Sequence, residues 1–148
     1  MTEVNIRNKK ASFEYQFLET FTAGMVLTGT EIKSIRDNKA SITEAYCYFT
    51  KSGELYVKNM HIAEYEKASF YKHDPKGDRK LLLTSHELGK LQKGLKNQGL
   101  TIIPLKVFMS EKGWAKMEIA LSKGKKIYDK REDMKSKDAR RDMDRSLS

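Results

Sequence analysis

The chain has 148 residues and carries 29 Lys and Arg against 20 Asp and Glu, a formal charge of +9, a length that suits one self-supporting domain with a tail left over. Such an excess of positive charge favours a polyanionic partner, although by itself it can serve solubility alone. Cys47 is the only cysteine and no apolar run is longer than a few residues, which excludes an internal disulfide framework and a membrane-spanning helix and leads us to expect a reducing, cytoplasmic setting with no membrane partner.

Along the chain, Phe13-Glu14-Tyr15-Gln16-Phe17 alternates apolar and polar residues, as a half-buried strand does. A second short strand is expected from Thr22 to Leu27, with Gly24 as a bulge or bend. Thr28-Gly29-Thr30-Glu31 has the spacing of a capping box, in which Thr28 accepts from the backbone near Glu31 and Glu31 reaches back. The short helix that follows turns Ile32 and Ile35 to one side and leaves Lys33 and Arg36 for solvent or a ligand. Residues 45–50 and 55–62 read as a hairpin across Lys51-Ser52-Gly53-Glu54. Residues 63–80, with Asp74-Pro75-Lys76-Gly77-Asp78, read as one long loop.

Thr84-Ser85-His86-Glu87 is a second capping box, followed by Leu88, Leu91 and Leu95 at helical spacing. Gly89 and Gly94 weaken that helix by roughly 1 kcal/mol each, so packing must hold it. The last strand pair spans 100–109 and 114–121, and Pro104, which has no N–H to donate, belongs at an edge or bulge. From Ser122 onward there are 10 basic and 6 acidic residues and few large apolar ones, too few to bury against a core. The expected organisation is a mainly β barrel over 1–122 and a basic tail over 123–148. The barrel is a closed Greek-key barrel of the OB type with inserted short helices, a sandwich being the alternative.

Catalysis finds no support in these residues. His61, His73, His86 and Cys47 lack the paired spacing of a metal site, and neither a phosphate-cradling glycine loop nor a nucleophile motif occurs. Asp74, Asp78 and Lys80 are the nearest approach to a nuclease centre, but on a loop that cannot fix carboxylates for two-metal chemistry. We therefore expect no catalytic residues, no metal and no cofactor.

The basic residues cluster. Asn8-Lys9-Lys10 precedes the first strand, Lys72, Lys76, Arg79 and Lys80 occupy the long loop, and Lys123, Lys125 and Lys126 follow the last strand. Tyr15, Phe70, Tyr71 and Tyr128 lie in or beside these clusters, and cations interleaved with stacking aromatics make an RNA surface. In the tail, a helix over 129–147 would place Lys137, Arg141 and Arg145 on one stripe, flanked by Arg140. Like charges four residues apart disfavour that helix when free. The expectation is a tail disordered alone and helical along a polyphosphate groove, against the simpler reading of a solvated charged tail.

In order and spacing, these segments resemble the SmpB family, the small protein partners of transfer-messenger RNA. The match runs through Asn8-Lys9-Lys10-Ala11, Glu19-Thr20-Phe21, Ala23-Gly24, Leu27-Thr28-Gly29-Thr30-Glu31 and Lys33-Ser34. It continues through His61-Ile62, His73-Asp74-Pro75, Arg79-Lys80-Leu81-Leu82-Leu83, Ile119-Ala120-Leu121, Gly124-Lys125-Lys126 and Asp129-Lys130-Arg131-Glu132. Two departures stand out: Gly77 and Asp78 interrupt a loop that is generally richer in Arg, and the chain closes on Ser146-Leu147-Ser148 without a basic residue.

The resemblance implies a non-catalytic, monomeric RNA-binding adaptor. Its barrel binds the tRNA-like domain of transfer-messenger RNA and delivers it to ribosomes stalled without a stop codon. By that resemblance Asn8, Lys9, Lys10, Tyr15, Glu31, Lys33, Arg36, His73, Arg79, Lys80, Lys123, Lys125 and Lys126 serve the RNA surface. Tyr128 would stack on a base of the ribosome decoding centre, and Asp129, Lys130, Arg131, Lys137, Arg140, Arg141 and Arg145 would line the messenger channel. Glu31 sits oddly among phosphates; it caps its helix, orients Lys33 or serves a base edge. The rival readings are a general single-strand-binding OB module and, more distantly, a nuclease.

Overall fold

The computed structural model describes residues 4–65, 73–97 and 99–125. Its elements run β1 (Ile6–Arg7), α1 (Ala11–Glu14), β2 (Tyr15–Met25), α2 (Gly29–Arg36), β3 (Ala40–Ser41), β4 (Tyr46–Phe49), β5 (Leu55–Lys58), β6 (His61–Ile62), β7 (Arg79–Leu82), α3 (Ser85–Leu95), β8 (Leu100–Met109) and β9 (Ala115–Gly124). Strands β8, β4, β5, β7, β2 and β9 follow one another through antiparallel pairings, and β9 pairs back onto β8 and closes the ring. Strand β1 is added to β8 through Ile6 opposite Val107, and β3 with β6 makes a separate two-stranded ribbon. This is the expected OB-type barrel, mainly β, with α3 inserted between β7 and β8.

Period-two alternation builds the interior. Ala115, Met117, Ile119 and Leu121 of β9 point inward, as do Leu55 and Val57 of β5, Leu81 of β7 and Ile102 and Val107 of β8. Both capping boxes form, with Thr28 and Glu31 at α2 and Thr84 and Glu87 at α3 satisfying each other's backbone N–H groups. Helix α3 is held by packing, as its glycines require. Leu91 is wholly buried, and a side chain on Gly94 would place its Cβ 2.4 Å from Leu121 Cδ2. The glycine allows the helix backbone to lie against the barrel.

The structure departs from the sequence expectations in five places. Phe13 and Glu14 belong to α1, because Phe13 and Glu14 both donate to the Lys10 carbonyl before the chain extends. The two expected strands after it are one strand, β2, whose bulge lies between Phe17 and Glu19 rather than at Gly24. The second arm of the hairpin ends at Lys58; Asn59 takes φ of 63°, and the chain turns off to form β6. The expected long loop ends in a strand, β7, pairing with both β5 and β2. Pro104 does sit at a bulge, in the middle of the paired strand β8. Strand β9 runs to Gly124, two residues past the expected end of the barrel.

Candidate RNA interface

Two groups of the sequence-selected residues come together. The first surrounds the short helix α1. Asn8 is fixed by its backbone N–H to the Leu105 carbonyl at 2.9 Å and its side-chain Nδ2 to the Pro104 carbonyl at 3.1 Å. That anchorage leaves Lys9 and Lys10 exposed at the turn. Tyr15 opens β2 opposite Gly124, Gln16 lies opposite Lys123, and Lys125 donates from Nζ to the Ser12 carbonyl at 3.1 Å. The barrel's closing strand thus brings residues more than a hundred positions apart into one basic rim. Beside it lies an open pocket of about 470 Å³ lined by Arg7, Lys9, Phe17 and Lys106 among others.

The second group joins α2 to the segment 73–80. Glu31 Oε1 accepts from the Thr28 N–H at 2.9 Å, while its Oε2 accepts from Arg79 Nε at 2.5 Å. Arg79 further donates to the carbonyls of Met60 (2.8 Å), Pro75 (3.2 Å) and Asp74 (2.7 Å). Glu31 is 6% exposed and Arg79 3%. The expectation that Arg79 and Glu31 face RNA is therefore corrected: the guanidinium and the carboxylate satisfy each other away from solvent, between α2 and the 73–80 segment, as buried charges must. Glu31 is the helix cap, with a second role as counter-ion.

His73 is likewise committed, with Nε2 3.0 Å from the Ile62 carbonyl and Nδ1 3.0 Å from Thr30 Oγ1. A carbonyl only accepts, so Nε2 carries the proton and, in the neutral ring, Nδ1 accepts from the Thr30 hydroxyl. Together His73, Arg79 and Glu31 clamp the 73–79 segment to the N-terminus of α2. Lys33 and Arg36, in contrast, lie exposed on α2, Lys33 Nζ standing 5.3 Å from the Tyr65 ring centroid. Lys80 is half-buried, 3.5 Å from Glu54. Lys126 and the tail residues Tyr128, Asp129, Lys130, Arg131, Lys137, Arg140, Arg141 and Arg145 lie outside the described residues.

Sequence reasoning missed an apolar groove between these basic residues. A groove of about 430 Å³ is lined by Val26, Leu27, Ile32, Leu82, Trp114 and Lys116 among others. Trp114 is 65% exposed and Leu82 52%. Arg36 approaches the same place, its Nη2 3.9 Å from where a Cβ on Gly113 would stand. Exposed apolar side chains grouped in this way mark an interaction site, and an exposed Trp rimmed by Lys and Arg suits stacking on a base beside its phosphates. The signal was available: alternation from Leu81, an inward residue, turns Leu82 outward, and Trp114 follows a turn glycine.

Among the described residues no group of three or more His, Cys, Asp or Glu is placed to hold a metal, and no helix is long and apolar enough to cross a membrane. Burial pushes the Cys47 thiol well above its usual range. The hydrogen bond to Asp78, first, and partial desolvation push the Tyr48 phenol up to about 12.

Comparison with known proteins agrees over nearly the whole chain. Residues 5–148 match the family model described as SmpB protein. The SsrA-binding protein of Phocaeicola vulgatus is 60% identical over 144 residues, covering 97% of this chain and 95% of that one. That of Cytophaga hutchinsonii is 63% identical over 142 residues, covering 96% and 92%. That of the more distant Agrobacterium fabrum is 44% identical over 147 residues, covering 99% and 91%. A chain of the solved structure described as "tmRNA-SmpB: a journey to the center of the bacterial ribosome" superposes with a TM-score of 0.70 at 44% identity, covering 84% of this chain and 86% of that one. On this evidence the chain belongs to the SmpB family.

Proposed function

We propose that this protein is the RNA-binding adaptor of trans-translation: it binds the tRNA-like domain of transfer-messenger RNA and delivers it to ribosomes stalled on messages that lack a stop codon. The observation that carries this is the full-length likeness to SsrA-binding proteins, 60% identical over 97% of the chain. The barrel's surface suits the task. RNA helices are recognised mainly by shape and backbone, with unpaired bases stacked on aromatic side chains. The groove of Leu82 and Trp114, with Lys116 in its lining and Arg36 beside Gly113, offers one stacking wall with cations about it. The rim of Asn8, Lys9, Lys10, Lys123 and Lys125 offers a second basic surface. The protein works by binding, without catalysing a reaction, in the cytoplasm where ribosomes are. Its tail, from Lys126 on, enters the vacant messenger channel, with Tyr128 at the decoding centre and Lys137, Arg140, Arg141 and Arg145 along the phosphates.

The clamp of Glu31, Arg79 and His73 positions this surface instead of touching RNA. It holds the 73–79 segment, and hence the start of β7 that carries Leu82, against α2. The test is Leu82→Glu, which puts a carboxylate into the groove at a position that contributes little to the core. Affinity for the tRNA-like domain should fall at least about tenfold, the worth of one stacked base or lost contact, with the melting temperature unchanged. Unchanged affinity would remove the groove from the interface.

A further inference from the structure

We propose that the outward face of β4, β5 and β7 is a further RNA-binding surface, a track on which unpaired bases of single-stranded RNA stack, built around Tyr48 and Tyr56. This rests on the reading of the protein as an RNA-binding adaptor and extends its contact with RNA beyond the groove.

The strand register places the side chains. Tyr48 lies directly opposite Tyr56, and Tyr46 opposite Lys58. Tyr56 in turn lies opposite Lys80 on β7. Side chains directly opposite, or two apart on a strand, share a face. Cys47, Leu55, Val57, Arg79 and Leu81 are the buried residues between them, so the tyrosines and lysines are the outward set. The face continues along β7 from Lys80 to Leu82, which lines the groove with Trp114. The tyrosine row and the groove are therefore one connected surface.

The rings are held in place before any ligand arrives. Tyr48 and Tyr56 stack with centroids 6.1 Å apart and planes inclined by 27°. Tyr48 donates its hydroxyl to Asp78 at 2.7 Å, and Tyr56 donates to Glu54 at 3.3 Å. Asp78 and Glu54 are thus both occupied in orienting the rings, and Glu54 is also countered by Lys80 at 3.5 Å. Lys58, exposed beside Tyr46, adds a cation at the other end.

This chemistry selects an unpaired strand. Bases in a duplex are stacked on one another and present no free face, whereas splayed bases stack on aromatic rings with little regard for sequence. Fixed rings lower the ordering cost of such stacking. In OB barrels generally, the outer face of adjacent strands is a surface open to oligonucleotides.

The test uses the full chain and two RNAs, an unpaired, single-stranded oligoadenylate of roughly 12 nucleotides, within the span of one OB barrel, and the tRNA-like domain. Tyr48→Thr with Tyr56→Thr keeps strand-forming residues and removes both rings. It should weaken oligoadenylate binding at least about tenfold while leaving the tRNA-like domain within about twofold. Tyr48→Phe with Tyr56→Phe keeps the rings and should bind the oligonucleotide within about threefold of the natural chain. Should the Thr pair fail to fold, ultraviolet crosslinking of the natural chain to a 4-thiouridine oligonucleotide replaces it, and adducts should map to residues 46–58. The proposal is overturned if the natural chain does not bind the oligonucleotide, if removal of the rings leaves that binding unchanged, if the Phe pair loses as much as the Thr pair, or if adducts lie elsewhere. Failure of the natural chain to bind the tRNA-like domain would instead count against the adaptor reading itself.

Discussion

Changing Arg79 to Met keeps most of the side chain's volume and removes its guanidinium. Glu31, 6% exposed, is then left without its cation, and the carbonyls of Met60, Asp74 and Pro75 lose donors at 2.7–3.2 Å. Removing one partner of a buried pair costs about 3–5 kcal/mol, because the remaining charge stays desolvated. Against a total of about 5–15 kcal/mol for a domain, that is a large fraction. Glu31→Gln keeps an oxygen for the Thr28 cap but strands the Arg79 charge, and a loss of about 2–4 kcal/mol is expected. Since each single change pays for an orphan that the double change removes, Glu31→Gln with Arg79→Met should cost less than the sum by about 2 kcal/mol. Urea unfolding followed by circular dichroism measures all four proteins; fluorescence is the poorer probe, because Trp114 is already 65% exposed when folded. An Arg79→Met protein with a natural unfolding midpoint and a selective loss of RNA affinity would refute the reasoning and return Arg79 to the RNA surface.

Two glycines of α3 should respond in opposite directions. Gly89→Ala, with nothing within 4 Å of the new Cβ, should stabilise by about 0.5–1 kcal/mol through helix propensity; Gly94→Ala, meeting Leu121 at 2.4 Å, should lower the melting temperature, since overpacking costs about 1–3 kcal/mol. The buried Cys47 thiol should resist aromatic disulfide reagents in the native state and react only as fast as the barrel opens. Its raised pKa and that of Tyr48 favour the protonated forms on folding, so their contribution is complete below the unfolded values of 9.0 and 10.0 and is lost as pH rises past them. Urea midpoints should fall accordingly above about pH 9. Lys137, Arg141 and Arg145 changed together to Ala should leave binding of the tRNA-like domain intact and abolish rescue of stalled ribosomes; equal loss of both would mean that barrel and tail are not separable.

Local rules made much of the barrel legible. Thr28 with Glu31 and Thr84 with Glu87 fixed both helix starts, and Leu88, Leu91 and Leu95 at helical spacing marked the packed side of α3. What sequence could not supply was pairing at a distance. Residues 79–82 are too short a run to separate from a loop by periodicity, and only β5 on one side and β2 on the other make them a strand. The same limit misled the site reading. Arg79 and Glu31, 48 positions apart, each look like a free charge until the fold joins them. Leu82 and Trp114, far apart in sequence, form one groove only once the barrel brings them together. Asn8, Lys9, Lys10, Lys123 and Lys125, by contrast, already read as basic clusters, and the closure of β9 on β2 brings them to one rim.

The central claim, that this protein reads the shape of a folded RNA, is tested most directly by equilibrium binding to the tRNA-like domain of transfer-messenger RNA, beside a single strand of equal length, across a salt series. The account predicts a preference for the folded RNA of at least about a hundredfold, roughly 2.7 kcal/mol, with the single strand bound detectably but weakly. Equal affinities with parallel salt slopes would describe a binder driven by phosphate charge alone and would contradict the account.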